Sequence, residues 1–269
     1  MGSFSPGRLG LLGHPVSHSL SPSFQNAALR RAGIPLEYEA LDVPPDALAT
    51  LVALFREADG AGNVTVPHKA SFAALCARLS PVADRVGAVN TFWTEDGALV
   101  GDNTDVGGFD AAVRGHFGLP RDRAVVAVIG AGGAAAAVLA AVERWEGARA
   151  RIFARSAERA SALAGRFERV AIVATDVRDA LKGATLVVNA TPVGLRGEDL
   201  PVEPSLLPAG ADAYDLAYRR GATPWVHACR ARGLRAADGL SMLVEQGALS
   251  FERWFGRTPD RRAMWDAVT

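Results

Sequence analysis

The sequence predicts an α/β protein of two domains, of which the second is built on a doubly wound parallel sheet. Short apolar runs alternate with helix-like segments along the chain, as they do where strands and helices form separate layers. A glycine-rich turn joins the apolar run Val125–Ile129 to an alanine-rich segment. With 269 residues, 49% of them hydrophobic, the chain is long enough to bury two cores.

The charge balance argues against several classes of partner. The 29 Lys and Arg residues match 29 Asp and Glu residues, so no overall field would draw the chain to nucleic acid or to an anionic membrane. No apolar stretch approaches the roughly twenty residues of a membrane span, and the first residues lack a secretion signal. The two cysteines lie far apart, and the five histidines form no metal-like cluster. We expect a cytoplasmic protein that binds small molecules and no metal.

The first elements surround a group of serines. The run Leu9–Gly13 reads as a strand, and a helix is predicted over 22–32 with Ser21 as its N-cap and Pro22 as its first residue. The hydroxyls of Ser17, Ser19 and Ser21 therefore gather before a helix N-terminus. They are explained equally well by capping alone or by a cradle for a small carboxylate.

A strand is predicted over 36–42 and a helix over 45–58, followed by the segment Asn63-Val-Thr-Val-Pro-His-Lys69. In a strand, Val64 and Val66 would face one side, and Asn63 and Thr65 the other. Lys69 would open the next helix, where a positive charge opposes the helix dipole. Lys69 is therefore either a solvated surface residue or a functional one, and the polar neighbours at a strand end favour function.

A hairpin is predicted across Asp96-Gly97, between the strand-like runs 87–93 and 98–105, after a helix that contains Cys76. Four polar residues, Asp102-Asn-Thr-Asp105, then precede a helix over 106–117. Capping explains one or two of them. A carboxylate here could orient Lys69 and hold its protonation state.

The segment 119–123 marks a domain boundary, after which a βαβ pattern opens. The turn Gly130-Ala-Gly-Gly133 between strand and helix is typical of Rossmann-type dinucleotide-binding folds, although a glycine-rich packing turn is the alternative. After the second strand, 150–154, an NAD site would carry an acidic residue, but this chain has Arg155 and Arg159. Arginines can pair with a 2′-phosphate, which favours NADP over a purely solvated pair.

Strands and helices continue to alternate to the end of the chain. Helices are predicted over 132–145, 156–167, 223–232 and 238–255 and after Pro259, and strands over 170–173, 185–189, 213–216 and near Leu234. Asn189 and Thr191 follow the carboxyl end of a strand. Gln246 lies one turn into a helix, where a lone glutamine is usually solvated.

Several segments with recognisable residues occur in order along nearly the whole chain: Ser19-Leu-Ser-Pro22 with Asn26, Asn63-Val-Thr-Val-Pro-His-Lys69, Gly87-Ala-Val-Asn-Thr91, Gly101-Asp-Asn-Thr-Asp105, Gly130-Ala-Gly-Gly133, Asn189-Ala-Thr-Pro192, Tyr214-Asp-Leu-Ala-Tyr218 and Asp238-Gly-Leu-Ser-Met-Leu-Val-Glu-Gln-Gly247. Together they resemble the shikimate dehydrogenase family, NADP-dependent enzymes of the pathway to chorismate and the aromatic amino acids. The chain departs from the usual pattern at Gln25, Val106, Ala154 and Leu195, and Ala154 removes an amide expected near the adenosine phosphate.

The resemblance implies a role for each matching residue. Lys69 and Asp105 would be the catalytic pair. The substrate carboxylate would be held by Ser19, Ser21 and Tyr218, and the ring hydroxyls by Thr65, Asn90, Asp105 and Gln246. The NADP(H) contacts would come from Gly130, Ala131, Gly132, Gly133, Ala134, Arg155, Ser156, Arg159, Asn189, Thr191, Leu216, Gly239 and Met242.

The resemblance also implies an organisation and a reaction. A substrate domain, 1–104 with 239–269, would accompany a Rossmann-type NADP domain, 105–238, with the C-terminal helices returning to the first domain and the site in the cleft between the two. The expected reaction is the reversible NADPH-dependent reduction of 3-dehydroshikimate to shikimate, by a monomer or a homodimer. The alternatives are a quinate or aminoshikimate dehydrogenase and a non-catalytic NADP-binding regulator.

Overall fold

The computed structural model describes residues 6–118 and 122–269, so most of the predicted boundary at 119–123 lies outside the described residues. Strands and helices alternate throughout, which confirms the predicted α/β class. The chain divides into two compact units. The first contains the residues up to Gly108 together with Leu243–Thr269, and the second contains Phe109–Met242. Asp105 therefore falls in the first unit, although the predicted boundary assigned it to the second.

The first unit contains a mixed six-stranded sheet in the order β2-β1-β3-β5-β6-β4. Strand β5 runs antiparallel to its neighbours β3 and β6, and the other pairings are parallel. The predicted hairpin across Asp96-Gly97 is confirmed by the β5–β6 register. The strands are β1 Leu9–Gly13, β2 Tyr38–Asp42, β3 Ala61–Val64, β4 Arg78–Leu79, β5 Thr91–Glu95 and β6 Ala98–Asp102.

The helices of the first unit come from both ends of the chain. They are α1 Ser21–Arg31, α2 Leu48–Glu57, α3 Lys69–Ala73, α4 Pro81–Val86, α5 Asp105–Phe117, α10 Leu240–Phe255 and α11 Arg261–Asp266, of which α5 and α10 continue across the unit boundary. One core joins Phe24 of α1 to Phe251 and Trp254 of α10 and to Met264 of α11. The C-terminal helices thus return to the first unit, as predicted.

The second unit contains a fully parallel six-stranded sheet in the order β12-β11-β10-β7-β8-β9. The order reverses at β7, as in doubly wound folds that bind ligands at this point. The strands are β7 Val125–Ile129, β8 Arg149–Phe153, β9 Ala171–Val173, β10 Leu186–Asn189, β11 Asp212–Asp215 and β12 Ala236–Asp238, and the helices are α6 Gly133–Val142, α7 Ala157–Arg166, α8 Val177–Leu181 and α9 Pro224–Ala231.

Several local predictions in the first unit are wrong. Ser21 is the first residue of α1 rather than its N-cap, which is Leu20 without a side-chain cap. Strand β3 ends at Val64, so Val64 is 1% exposed whereas Val66 is 69% exposed, and the two do not share a face. Cys76 lies after α3 rather than inside a helix. The segment between Cys76 and Gly87 instead forms the unpredicted elements β4 and α4.

Among the described residues, no helix combines the length and apolar character that a membrane crossing needs. The same residues contain no group of three or more His, Cys, Asp or Glu side chains placed to hold a metal ion.

Candidate active site

The first unit brings Lys69 and Asp105 together. Lys69 opens α3 and Asp105 opens α5, and the Lys69 Nζ donates a hydrogen bond of 2.6 Å to Asp105 Oδ2. The Lys69 side chain is 29% exposed and the Asp105 side chain is 10% exposed, so the ammonium group keeps access to solvent while the carboxylate is nearly covered. This is a charge-assisted pair in which the acidic partner is fixed and the basic partner is accessible.

Two further predicted residues join this pair. Asn90 Nδ2 donates to the other oxygen of Asp105, Oδ1, at 2.8 Å and lies 3.2 Å from Gln246 Oε1. Gln246 Nε2 in turn donates to the backbone oxygen of Leu243 at 2.7 Å. Both oxygens of Asp105 are therefore engaged, and Lys69, Asp105, Asn90 and Gln246 form one polar cluster from separate parts of the sequence.

A chain of buried hydrogen bonds holds Asn90 in place. Thr104 N donates to Asn90 Oδ1 at 2.7 Å, and the Thr104 hydroxyl contacts Ser250 Oγ at 3.1 Å. Asn63 Nδ2 donates to Ser250 Oγ at 2.8 Å, and Tyr38 OH donates to Asn63 Oδ1 at 2.8 Å. Asn63 is thus a support inside the core and does not face a ligand. Sequence reasoning missed Ser250 and gave no supporting role to Thr104, whose only signal was the excess of polar residues over 102–105.

The polar run over 102–105 is a rigid turn. Asp102 accepts hydrogen bonds from Ser80, from the backbone N–H of Asn103 at 2.7 Å and from Arg253 Nε at 2.7 Å. Asn103 Oδ1 accepts from the backbone N–H of Asp105 at 3.1 Å. Every side chain of this run is bound, which fixes the start of α5 and hence the Asp105 carboxylate.

The predicted carboxylate-binding residues form a second group. Ser19 Oγ accepts from the backbone N–H of Ser21 at 3.2 Å, and Ser21 is buried while Ser19 is half-buried. Thr65 is half-buried directly after β3. Within the described part of the first unit, no hydrogen bond joins these residues to the Lys69 cluster. Tyr218 belongs to the second unit, where burial raises the pKa of its hydroxyl, so it remains a proton donor at neutral pH.

The glycine turn of the second unit leaves open space at a helix N-terminus. Gly130 has φ +120°, and a side chain there would lie 2.8 Å from the carbonyl oxygen of Ala190, so only glycine fits without strain. Helix α6 begins at Gly133, and side-chain atoms added at Gly132 or Gly133 would meet nothing within 4 Å. The uncapped backbone N–H groups can therefore receive a phosphate, which fits a dinucleotide.

A cavity of about 440 Å³ opens beside this turn. Seven of the predicted cofactor residues line it: Gly130, Ala131, Gly132, Arg155, Ser156, Arg159 and Thr191. Arg155 and Arg159 are exposed at its edge, and Ser156 caps α7 by accepting from the backbone N–H of Arg159 at 3.2 Å. The predicted contacts Gly133, Ala134, Leu216, Gly239 and Met242 do not line this cavity. Gly239 instead packs against the backbone of Leu216.

Asn189 is completely buried and does not present its side chain to a ligand. Its Oδ1 accepts from Thr191 N at 3.0 Å and Thr191 Oγ1 at 2.6 Å, and its Nδ2 donates to Val193 O at 3.1 Å and Asp215 Oδ1 at 2.7 Å. All its hydrogen-bonding positions are thus used within the protein. The Asn189 side chain therefore has no free hydrogen-bonding group for a ligand, and its role toward the cofactor stays a prediction.

Burial raises the pKa of the Asp215 carboxyl from 3.8 to about 6, against the lowering effect of hydrogen bonds from Thr223, Asn189 and Ala217. Asp238 and Cys229 also face this carboxyl, and the charge of Asp238 adds to the increase. The folded protein then binds the Asp215 proton more tightly than the unfolded chain. The contribution of Asp215 to the stability of the fold should therefore fall as the pH rises from about 4 to 6, by at most about 3 kcal/mol.

The substitution Asp215→Asn isolates this effect, because contributions from other groups cancel in the comparison with the wild type. We expect the free energy of unfolding of Asp215→Asn, relative to that of the wild type, to be larger at pH 8 than at pH 4, so that the variant is relatively more stable at pH 8. Denaturant unfolding at several pH values measures it. A difference that does not change with pH would contradict the raised pKa.

Comparison with known proteins gives the family. Residues 11–92 match the shikimate dehydrogenase substrate binding domain, and residues 239–269 match the shikimate 5′-dehydrogenase C-terminal domain. The chain is 41% identical to a shikimate dehydrogenase (NADP(+)) of Mesorhizobium japonicum, over 92% of this chain and 90% of that protein.

Solved structures of similar proteins support the same family. Shikimate 5-dehydrogenase from Thermus thermophilus, in complex with NADP(H) and shikimate, superimposes with a TM-score of 0.87 at 39% identity and covers 97% of both chains. Quinate dehydrogenase from Corynebacterium glutamicum, in complex with NAD, gives a TM-score of 0.88 at 27% identity over 96% of this chain and 97% of that one. On this evidence the chain belongs to the shikimate dehydrogenase family of oxidoreductases.

Proposed function

We propose that this chain catalyses the reversible reduction of 3-dehydroshikimate to shikimate with NADPH. The observation that carries the proposal is the pairing of Lys69 with Asp105 at 2.6 Å, within a cluster that includes Asn90 and Gln246. This cluster offers both hydrogen-bond donors and acceptors to a polyol, and a basic group beside them. The relatives that match over nearly the full chain support the same reaction.

Lys69 is the acid–base group in this proposal. In the oxidation of shikimate, Lys69 Nζ accepts or relays the proton of the 3-hydroxyl, and in the reduction it returns the proton to the same oxygen. Asp105 accepts a hydrogen bond from Lys69 and keeps the amine directed at one point, because its second oxygen is bound by Asn90. Asn90, Asp105 and Gln246, with Thr65, hold the ring hydroxyls, while Ser19, Ser21 and Tyr218 hold the carboxylate.

NADP(H), when bound, supplies or accepts the hydride. The backbone N–H groups at the start of α6 would bind its pyrophosphate, and Arg155 and Arg159 would bind the 2′-phosphate. In this proposal NADP binds to the unit Phe109–Met242, and the catalytic pair belongs to the unit that contains Leu243–Thr269.

One assay tests the proposed function. The reduction of NADP+ and of NAD+ is followed with shikimate and with quinate, and the four values of kcat/KM are compared. We expect the highest value for shikimate with NADP+. No turnover with any combination, together with intact NADP+ binding, would instead favour a regulator.

The second candidate is a quinate or aminoshikimate dehydrogenase. The structural likeness to a quinate dehydrogenase in complex with NAD favours it, as does Ala154, which offers no amide to the adenosine phosphate. A higher kcat/KM for quinate with NAD+ than for shikimate with NADP+ would establish this alternative.

Replacement of Gln246 should weaken substrate binding. Gln246→Ala removes one neutral hydrogen bond to a ring hydroxyl, so we expect the KM for shikimate to rise about tenfold and kcat to change less. The KM for NADP+ is the internal control and should stay constant. Steady-state kinetics with each substrate varied in turn measures both, and an unchanged shikimate KM would contradict the assignment.

A further inference from the structure

Asp215 lies at the end of β11, and the burial of its carboxylate needs an explanation. It is fully buried. Within residues 6–118 and 122–269 the structure records no Lys, Arg or His side chain in an ion pair with it. A buried carboxylate without a cationic partner is normally unfavourable, and its pKa is raised by burial. The presence of an ionisable side chain here therefore indicates a role that a neutral or apolar side chain would not fill.

The contacts of Asp215 help to fix the orientation of Asn189. Oδ1 of Asp215 accepts from Asn189 Nδ2 at 2.7 Å and from the backbone N–H of Ala217 at 3.0 Å, while Oδ2 accepts from Thr223 Oγ1 at 2.7 Å. An ionised carboxylate can only accept hydrogen bonds. The amide of Asn189 must therefore present its NH2 group to Asp215, and its oxygen must point the other way.

The oxygen of Asn189 then organises the turn that follows β10. It accepts from both the backbone N–H and the hydroxyl of Thr191, and the Thr191 hydroxyl accepts from the backbone N–H of Val193 at 3.2 Å. Asn189 Nδ2 also donates to the carbonyl of Val193. Asp215 thus adds a charged acceptor to the two backbone groups, Val193 C=O and Thr191 N–H, that favour the same orientation of the Asn189 amide.

The same turn forms one wall of the cavity in the second unit. Ala190, Thr191, Pro192 and Val193 all line it, together with the glycine turn and the two arginines. Neither Asn189 nor Asp215 lines the cavity, so their influence on a bound molecule passes through this wall.

We propose that Asp215 is a positioning residue for the dinucleotide: through Asn189 it fixes the wall formed by residues 190–193 and thereby sets the affinity for NADP. The inference rests on the proposed function, because it takes NADP as the occupant of the cavity. Asp215 belongs to the second unit and the Lys69 cluster to the first. We therefore expect Asp215 to act on dinucleotide affinity and to leave proton transfer unchanged.

The test measures NADP+ binding to the protein directly, by isothermal titration calorimetry at pH 8. Asp215→Ala removes the shorter of the two hydrogen bonds that Asn189 Nδ2 donates and so loosens the Asn189 amide. We expect the Kd of this variant for NADP+ to be about tenfold higher than that of the wild type. Asp215→Asn keeps an oxygen facing Asn189 and should stay within about threefold, which is a rescue by the conservative variant. The KM for shikimate and kcat at saturating NADP+ should not change in either variant.

Asp212 provides the matched control. It is buried on the same strand but at the opposite end, paired with Arg235 through two hydrogen bonds of 2.7 and 2.9 Å. Asp212→Ala should therefore lower the melting temperature and leave the Kd for NADP+ unchanged. A similar rise in Kd for both variants would reduce Asp215 to a general structural role and overturn the inference.

A double-mutant cycle identifies the route. Asn189→Ala removes the same link from its other side, and we expect it to raise the Kd for NADP+ as Asp215→Ala does. The double variant should bind NADP+ no more weakly than Asn189→Ala alone, whereas additive effects would overturn the inference.

If Asp215→Ala does not fold, the NADP+ affinity of Asn189→Ala provides the test, and an unchanged Kd overturns the proposal. A wild-type protein without measurable NADP+ binding would overturn the proposed function as well, whereas intact wild-type binding with unaffected variants would overturn the inference alone.

Discussion

Lys69→Ala should lower kcat by about a hundred- to ten-thousandfold, the range that a positioned acid–base group contributes. In the proposed reaction Lys69 Nζ is the group that exchanges the proton with the substrate hydroxyl, so its loss removes the transfer itself. The KM for shikimate should change little, because Asn90, Asp105 and Gln246 remain. Stopped-flow or steady-state measurement of NADPH formation gives both parameters.

The chain offers a matched control for this variant. Its other lysine, Lys182, is exposed on the second unit and does not line the dinucleotide cavity. Lys182→Ala should keep kcat and KM at wild-type values. If Lys69→Ala retained near-normal turnover, the proposed proton transfer would be wrong, whatever the identity of the substrate.

Removal of Arg155 and Arg159 should abolish the preference for NADP. Both guanidinium groups are exposed at the edge of the cavity, where they can make charge-assisted hydrogen bonds to a 2′-phosphate. For the double variant Arg155→Ala with Arg159→Ala we expect the KM for NADP+ to rise about a hundredfold, roughly tenfold for each lost contact. The KM for NAD+, which lacks the 2′-phosphate, should change by less than about threefold.

Arg169 separates this specific effect from a general loss of positive charge. It is also exposed in the second unit but does not line the cavity. Arg169→Ala should leave both KM values unchanged. An equal rise in the KM for NADP+ and NAD+ in the arginine double variant would show that these residues do not recognise the 2′-phosphate.

Local patterns predicted most of the fold because each pattern is set by neighbours in the sequence. The turn Asp96-Gly97 has positive φ at both residues, as a tight hairpin requires, and this residue pair predicted the hairpin. The glycine-rich run likewise predicted the turn between β7 and α6. The predictions of an α/β class, of the shikimate dehydrogenase family and of an NADP-dependent oxidoreductase are confirmed by the structure and by the relatives.

The errors lie where the outcome depended on distant residues. Asn63 is one of the polar neighbours that favoured a function for Lys69 in the sequence, but Tyr38 and Ser250 bind it inside the core, and Ser250 is 187 residues away in sequence. The short elements β4 and α8 carry too few residues for a period to emerge. The residues alone predicted that a carboxylate within 102–105 could orient Lys69, and the resemblance implied Asp105. The structure pairs these two side chains, whereas the roles of the site residues stay predictions.

The two sides of the dinucleotide cavity differ in how freely they can change. Helix α6 is buried on every side from Ala135 to Val142, and small side chains let its backbone pack closely against its surroundings. Arg155 and Arg159, which also line the cavity, are exposed and do not belong to a hydrophobic core. A change of coenzyme preference, in evolution or in the laboratory, should therefore arise from substitutions at Arg155 and Arg159. The sequence of α6 should stay the same.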